Sequence, residues 1–176
     1  NSDSATVDGD NAFAELKQSV FAALEIYANV HRGSGHKSMA STFVYEQART
    51  IVLDYLNLDA KKFVVIFGSS ASAENLEKQL SQKDFVKITS KEIGLPIGVH
   101  ALAIKWIALP AGAPMLAGGG TARLMGPDWV IWAKAPDKFE AGTPAIINVI
   151  AFAKALQLIR KYGDHIFKSP ANPELS

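Results

Sequence analysis

The sequence predicts an α/β fold, a layered mixed sheet flanked by helices. Apolar residues recur at helical spacing from Phe13 to Tyr27, which indicates an amphipathic helix. Phe63 to Phe67 form a short continuous apolar run that ends at Gly68 and precedes a helical stretch. That order is typical of a strand, a turn and a helix. Helical and strand-like segments that alternate along one chain indicate the α/β class.

The composition favours one packed domain without cysteine chemistry. A chain of 176 residues, with 48% hydrophobic and 20% charged residues, is long and apolar enough for one ordinary core. Its 18 basic and 17 acidic residues leave no excess of positive charge for a phosphate backbone, so no nucleic-acid partner is predicted. Because cysteine is absent, disulfides, Fe–S clusters, thiolate zinc sites and cysteine nucleophiles are excluded within the chain.

One domain is predicted over residues 12–168, between a flexible lead-in at residues 1–11 and a flexible tail at residues 169–176. The lead-in is polar and acidic and has no apolar segment of the kind found in signal peptides. No apolar run approaches the ~20 residues that a membrane span needs. We therefore expect a cytoplasmic protein that does not bind membranes.

Further elements are expected between and after the opening helix and strand. A second helix is predicted from about Thr42 to Leu56, and residues 111–120 are predicted to form a loop. Three more strands are expected, at residues 85–88, 99–106 and 129–133. The strand at 99–106 should pair antiparallel with the one before it, after the turn at Gly94–Gly98.

The last predicted helix runs from Pro144 to about Tyr162, with proline in its first turn and Gly163 just past its end. It is apolar nearly all round. Such a helix is buried either inside a large domain or at an interface. For a chain this short, an interface is the expectation.

The segment Gly68-Ser69-Ser70-Ala71-Ser72 is a candidate anion site. Free backbone N–H groups and the helix dipole favour a phosphate at a helix N-terminus, and serine hydroxyls add donors. The alternative is that Ser70 or Ser72 simply caps its helix.

Lys91 lies between a predicted strand and a turn. A lysine that is partly shielded at such a junction can serve as a nucleophilic amine and form a Schiff base. The alternative is an ordinary solvent-exposed lysine.

No metal site is predicted. His31 and His36 have the wrong spacing for one helical face and lie in a loop without carboxylates, while His100 and His165 belong to unrelated elements. The glycines at 118–120 lack the Gly-Lys-Ser/Thr ending of a phosphate-binding P-loop.

Taken in order, these segments resemble class V aminotransferases that depend on pyridoxal phosphate, a group that includes cysteine desulfurases. The resemblance covers about residues 20–160. The similar segments are Tyr27-Ala28-Asn29-Val30-His31-Arg32-Gly33, Tyr45-Glu46-Gln47-Ala48-Arg49, Phe67-Gly68-Ser69-Ser70-Ala71-Ser72, Gly118-Gly119-Gly120 and Phe139-Glu140-Ala141-Gly142-Thr143-Pro144. The last of these is the most specific.

The resemblance implies a reduced version of the large domain of the fold type I pyridoxal-phosphate enzymes. It places Lys91 at the Schiff-base position, although the family's preceding histidine is absent and one residue is inserted before Pro96.

The implied cofactor-binding residues are Ser70, Ala71, Ser72, Gly142 and Thr143. In the family the Gly-Thr pair reaches the cofactor of the neighbouring subunit, which implies a homodimer. The candidates for a substrate loop are Asn29, His31 and Arg32. The implied chemistry is amino-group transfer at the α-carbon of an amino acid.

The chain is about half the length of a family member. Family strands that carry an aspartate for the ring nitrogen and a stacking histidine would belong between Ser72 and Lys91, where Asp84 is the only aspartate. The C-terminal small domain, which supplies an arginine for the substrate carboxylate in the family, is expected to be absent as well. A non-catalytic domain that dimerises, or docks to another domain of a longer polypeptide, is therefore the alternative.

Overall fold

The computed structural model describes residues 2–30, 37–111, 122–125, 130–132, 135–136, 139–140 and 146–168. The helices within these ranges are α1 (Ser2–Val30), α2 (Lys37–Leu56), α3 (Ser70–Glu77) and α4 (Ile146–Tyr162). The strands are β1 (Phe63–Gly68), β2 (Phe85–Thr89), β3 (His100–Lys105), β4 (Ala122–Met125) and β5 (Val130–Trp132). Short 3-10 turns lie at Gln82–Asp84 and Trp106–Ala108.

β3 is the central strand of a three-stranded antiparallel sheet with the order β1-β3-β2. The predicted antiparallel pairing of β2 with β3 is confirmed, with Ile88 opposite Ala101. β4 and β5 form a second antiparallel pair, of which the sequence predicts only β5. The α/β class is confirmed. In the described residues the ladders are antiparallel rather than mixed, because β3 lies between the two strands that run in the same direction.

Both faces of the three-stranded sheet are covered, which explains why its strands are apolar without strict alternation. On one face, the sheet residues that pack with α1, α2 and α4 are Val65, Phe67, Ile88, Ala101 and Ala103. On the other face, the residues that pack with Ala73 and Leu76 of α3 are Val64, Ile66, Leu102 and Ile104. Successive strand residues point to opposite faces, so β1 and β3 each contribute to both cores.

Helix α4 is buried within the chain, between α1 and α2. Its buried residues are Val149, Phe152, Ala153, Ala155, Leu156, Leu158 and Ile159. Gln157, Arg160 and Lys161 are the exposed positions of α4. The expectation that an interface buries this helix is therefore wrong. The apolar surface is covered by α1 and α2, and α1 is longer than its apolar periodicity predicts.

Residues 2–11, expected to be a flexible lead-in, form the first turns of α1 instead. From Gly9 onward the helix lies against the C-terminal part of the domain. The ring of Phe13 meets that of Phe167 edge-on, with 5.0 Å between the centroids. A Cβ added at Gly9 would lie 3.6 Å from the carbonyl oxygen of Ile166, so the helix backbone approaches this segment closely there. The predicted tail at residues 169–176 lies outside the described residues.

Helix α2 begins at Lys37, five residues before the predicted start. The predicted loop at residues 111–120 falls almost wholly outside the described residues. Among the helices in the described part of the chain, none combines the length and the apolarity that a membrane crossing requires.

Candidate functional site

The carboxyl ends of β1 and β2 lie at one edge of the sheet, which we call the carboxyl edge. Both strands pair antiparallel with β3, so they run in the same direction. At this edge Gly68, His100 and Thr89 form one row across the three strands. Adjacent strands are spaced about 4.8 Å apart, which puts the backbones of Gly68 and Thr89 roughly 10 Å apart. The fold therefore brings the Gly68–Ser72 segment and Lys91 to the same edge.

The serine turn, Gly68–Ser72, joins β1 to α3. Ser69 is the N-cap of α3, because its hydroxyl oxygen accepts the N–H of Ser72 at 3.3 Å. The Ser72 hydroxyl donates to the Ser69 carbonyl at 3.1 Å, and the Ala73 N–H donates to the same carbonyl at 3.0 Å. The capping residue is thus Ser69, rather than Ser70 or Ser72 as the capping alternative supposed.

Two backbone donors remain at the start of α3. Within the described residues, neither the N–H of Ser70 nor that of Ala71 has an acceptor. Both residues are exposed. They lie at the positive end of the helix dipole, where an anion is favoured. The Ser70 hydroxyl donates to Glu74 Oε1 at 2.9 Å and points along the exposed side of the helix. The turn therefore offers an anion two N–H groups directly.

The close fold of the serine turn depends on Gly68. A Cβ added there would lie 2.4 Å from Ser72 Oγ, which is shorter than real contacts allow. Ser72 is itself buried behind the turn. Glycine at position 68 thus lets the hydroxyl of residue 72 pack against the main chain of β1.

Lys91 follows β2 and has an exposed side chain on a well-fixed backbone. Ser90, which is only 1% exposed, closes the loop that begins there. Its N–H donates to the Val99 carbonyl at 2.9 Å, and its hydroxyl accepts the Val99 N–H at 3.1 Å. The Lys91 carbonyl accepts the N–H of Gly94 at 3.0 Å. The amine is therefore free to reach outward from a rigid attachment point.

Thr89 and Glu92 also stabilise the junction between β2 and the loop that contains Lys91. The Thr89 N–H donates to Glu92 Oε2 at 2.7 Å, and the Glu92 N–H donates to the Thr89 hydroxyl at 3.2 Å. This reciprocal pair resembles a capping box, in which two side chains satisfy each other's backbone donors. It fixes the main chain where β2 ends and the Lys91 loop begins.

His100 lies in the row between the serine turn and the strand that leads to Lys91. Along β3 it is on the same face as Leu102 and Ile104, the face that α3 covers. From the sequence, this histidine is expected to lie in an element unrelated to the other histidines. Only the strand register reveals its position, because it is the first residue of the strand between the two carboxyl ends.

A buried ion pair lies at the outer edge of β1. Arg49 of α2 donates to Glu140 through Nη1 at 2.6 Å from Oε1 and through Nη2 at 3.0 Å from Oε2. The two side chains are 7% and 9% exposed. Arg49 Nη1 also donates to the Val65 carbonyl at 2.6 Å, and the Phe67 N–H donates to Glu140 Oε1 at 2.9 Å.

The surroundings of Arg49 keep it charged. Burial lowers the pKa of the guanidinium, but the hydrogen bond and the charge of Glu140, with a further contribution from Glu46, outweigh burial and raise that pKa above its usual value. The guanidinium carbon also lies 5.5 Å from the ring centre of Phe67 and 5.6 Å from that of Tyr45, within cation–π range.

The sequence model of the family described as Aminotransferase class-V matches residues 75–171. The chain belongs to the class V aminotransferase family. The resemblance stated from the motifs is therefore confirmed.

Curated relatives of this class V chain include two bacterial proteins. It is 34% identical over 80 residues to "Probable cysteine desulfurase" of Xylella fastidiosa (strain Temecula1 / ATCC 700964), a match that covers 46% of this chain and 19% of that protein. It is 31% identical over 88 residues to "Probable cysteine desulfurase" of Streptomyces coelicolor (strain ATCC BAA-471 / A3(2) / M145), over 50% of this chain and 21% of that protein. The matched part thus spans about a fifth of each relative.

Among solved structures, the class V chain is similar to "Apo structure of Cysteine Desulfurase from Thermococcus onnurineus NA1". The TM-score is 0.58 at 17% sequence identity, and the match covers 84% of this chain and 65% of that one. At this identity the likeness concerns the fold. It supports the expected relation to the pyridoxal-phosphate fold.

The described part of the chain leaves out several predicted site residues of this class V chain. His31, Arg32, Gly142 and Thr143 lie outside the described residues, and Asn29 is described only as backbone within α1. Asp84 lies at the opposite end of β2, where its carboxylate accepts from Lys105 Nζ at 3.1 Å. In the described residues, no cluster of three or more His, Cys, Asp or Glu side chains could hold a metal.

Proposed function

We propose that this chain is a pyridoxal-phosphate-binding domain whose chemistry is amino-group transfer, or a related reaction, at the α-carbon of an amino acid. The observation that carries the proposal is the placement of two features at the carboxyl edge. The free N–H groups of Ser70 and Ala71 lie at one end of the row, and Lys91 lies at the other. Membership of the class V family supports the same cofactor.

The phosphate end of the cofactor fits the serine turn. Two N–H groups without acceptors among the described residues, at the N-terminus of α3, form the donor set that a phosphate accepts from. The hydroxyls of Ser69, Ser70 and Ser72 bond within the turn and to Glu74. In this proposal the backbone therefore supplies the primary donors, and a hydroxyl contributes after rotating away from its present partner.

The reactive end fits Lys91. Its backbone is fixed by the hydrogen bonds of Ser90 and Gly94, and its exposed amine can extend over the row that His100 occupies. Glu92 accepts the Thr89 N–H and so helps to fix the end of β2 from which the Lys91 loop begins. The bound cofactor would supply an electron sink that stabilises negative charge at the α-carbon of the amino acid. Gly142 and Thr143 are proposed to complete the phosphate site of a partner subunit in a homodimer.

The proposal is tested by titrating the full chain with pyridoxal phosphate and recording the visible absorbance of the lysine-bound cofactor. Lys91→Ala should abolish the band. Lys83→Ala is the matched control, because Lys83 is an exposed lysine at the opposite end of β2 and its loss should leave the band unchanged. Absence of a band in the wild-type chain at high cofactor concentration would overturn the proposal.

A second candidate, a non-catalytic domain that dimerises or docks to another domain of its polypeptide, is favoured by the position of Asp84. This aspartate lies at the end of β2 away from Lys91 and bonds to Lys105, so it cannot reach a ring nitrogen bound at the carboxyl edge. The same titration discriminates the two functions, since a docking domain binds no cofactor. Sedimentation of the chain then tests the homodimer that the first function predicts. The second function predicts a dimer only where the domain dimerises rather than docks.

A further inference from the structure

The outer edge of β1 faces away from β3. The residues of β1 point their backbone groups alternately to the two sides of the strand. Val65 and Phe67 point theirs to the outer side, where Arg49 donates to the Val65 carbonyl and Glu140 accepts the Phe67 N–H. The ion pair therefore takes the place that a neighbouring strand would hold along these two residues.

The pair holds Phe67 through both its backbone and its side chain. The carboxylate of Glu140 accepts the N–H, and the guanidinium of Arg49 lies over the ring. Both charged groups are buried, and their two parallel hydrogen bonds measure 2.6 and 3.0 Å. A forked arginine–carboxylate contact fixes relative orientation more strictly than a single bond does.

Phe139 and Glu140 connect the two faces of the sheet at this edge. Phe139 packs against the core that lies under α3, whereas Glu140 reaches Arg49, which comes from α2 on the other face. The outer edge of β1 is thus in contact with the α3 layer and the α2 layer directly before the serine turn. On its inner side, the last residue of β1 is held by the pairing of Gly68 with His100.

We propose that the Arg49–Glu140 pair is a positioning element that sets the serine turn for anion binding. The proposal rests on the proposed function. Phe67 precedes the N-cap Ser69 by two residues, so a shift of the strand end displaces the N–H groups of Ser70 and Ala71 with it. Neither charged group contacts the anion. Their effect on phosphate affinity passes through β1.

The test compares the full-length wild-type chain with Glu140→Gln, and with Glu46→Gln as the matched control. The Glu46→Gln substitution removes the same charge from a partner of the same arginine, since Arg49 Nε donates to Glu46 Oε1 at 3.1 Å. The Glu46 side chain is exposed, however, and no hydrogen bond to a strand is found for it in the described residues. Amide hydrogen exchange measures how stably the serine turn is folded in the absence of any ligand. Exchange should accelerate in peptides that cover residues 63–73 of Glu140→Gln, while α4 and the Glu46→Gln chain keep the wild-type pattern. Equal acceleration throughout the chain would overturn the proposal, because it indicates a purely structural role.

Affinity for pyridoxal phosphate is the second readout. Glu140→Gln should bind about tenfold more weakly, the effect of losing a hydrogen bond from a charged group, and Glu46→Gln should bind as the wild type does. If the single variant fails to fold, the double variant Arg49→Met with Glu140→Leu removes both charges, a change that buried pairs often tolerate. It should be folded and show the same weak binding. Tight binding by either altered chain would overturn the inference and leave the proposed function standing, whereas a wild-type chain that binds no cofactor would overturn both.

Discussion

Replacing Gly68 with alanine directs a methyl group at the Ser72 hydroxyl, directly behind the candidate phosphate site. The added Cβ would lie 2.4 Å from Ser72 Oγ, but 3.5 Å from Ser72 Cβ and 3.7 Å from the Ala73 nitrogen. Only the first distance is a clash, and the other two are ordinary contacts. The φ of Gly68 lies outside the left-handed region, so alanine causes no backbone strain there. The whole penalty is therefore assigned to one oxygen atom.

The magnitude follows from this single clash. Overpacking of a well-packed site costs about 1–3 kcal/mol in the free energy of unfolding. With Ser72→Ala the oxygen is gone, and a glycine-to-alanine change at a compatible site gains about 0.4–1 kcal/mol through the unfolded state. Gly68→Ala should therefore destabilise the wild-type chain but not the Ser72→Ala chain. The two changes should be coupled by about 1–3 kcal/mol, the cost of the clash alone, because the gain through the unfolded state is the same in both backgrounds and cancels in the cycle.

Urea denaturation of the four chains in this double-mutant cycle measures the coupling. Gly68→Ala combined with Ser70→Ala is the control, because the Ser70 hydroxyl bonds to Glu74 on the exposed side and does not meet position 68. Those two changes should add independently. An equal cost of Gly68→Ala with and without the Ser72 hydroxyl would refute the described geometry of the turn.

Two further predictions concern the rest of the domain. Gly94→Ala should destabilise the chain by more than about 2 kcal/mol in urea denaturation, because φ is +92° and the added Cβ would lie 2.2 Å from a main-chain carbonyl oxygen that cannot rotate away. No second substitution of a side chain should restore the lost stability. The other prediction concerns Glu15, whose pKa is lowered below its usual 4.5 by the hydrogen bond from Lys161 and then by that from Tyr162. Glu15 therefore stabilises the fold above about pH 4.5, and this contribution is lost as the pH falls through the lowered pKa. Melting temperatures of wild type and Glu15→Gln should differ at neutral pH and converge in acid, and a constant difference would contradict the linkage.

The local part of the site is predictable from sequence. The apolar run at 63–67, the glycine after it and the helical spacing that follows are contiguous, so short-range chemistry alone indicates β1, the serine turn and α3. The identity of the capping serine is not predictable in the same way. Any of the three serines in the turn has a side chain suited to capping. Ser69 is the cap because β1 ends at Gly68, directly before it.

Long-range features escape sequence reasoning for physical reasons. Arg49 and Glu140 belong to two separate motifs, 91 positions apart, and nothing local in the sequence indicates their contact. A signal was nevertheless available. Arg49 directly follows Ala48, which the helical spacing places on the inner face of α2. A charge next to that face, if buried, requires a partner. The position of His100 likewise depends on strand register, which follows from the pairing of three segments together.

The extent of α1 and the burial of α4 show a related limit. Residues 2–11 are mostly polar, so their periodicity does not indicate a helix, and contacts with the segment near Phe167 give them a reason to be ordered. Through Ala12, Leu16 and Val20, α1 covers a face of α4 that would otherwise need an interface. An all-round apolar helix therefore indicates burial, and does not tell which surface buries it.

The most direct test of the central claim, a pyridoxal-phosphate site at the carboxyl edge, is chemical mapping of the attached cofactor. The full chain is incubated with pyridoxal phosphate, reduced with borohydride and digested, and the modified lysine is identified by mass spectrometry. The account predicts one dominant modification at Lys91, and its loss when an excess of inorganic phosphate competes for the serine turn. Modification spread evenly over the exposed lysines, or a Lys91 adduct that phosphate does not reduce, would contradict it.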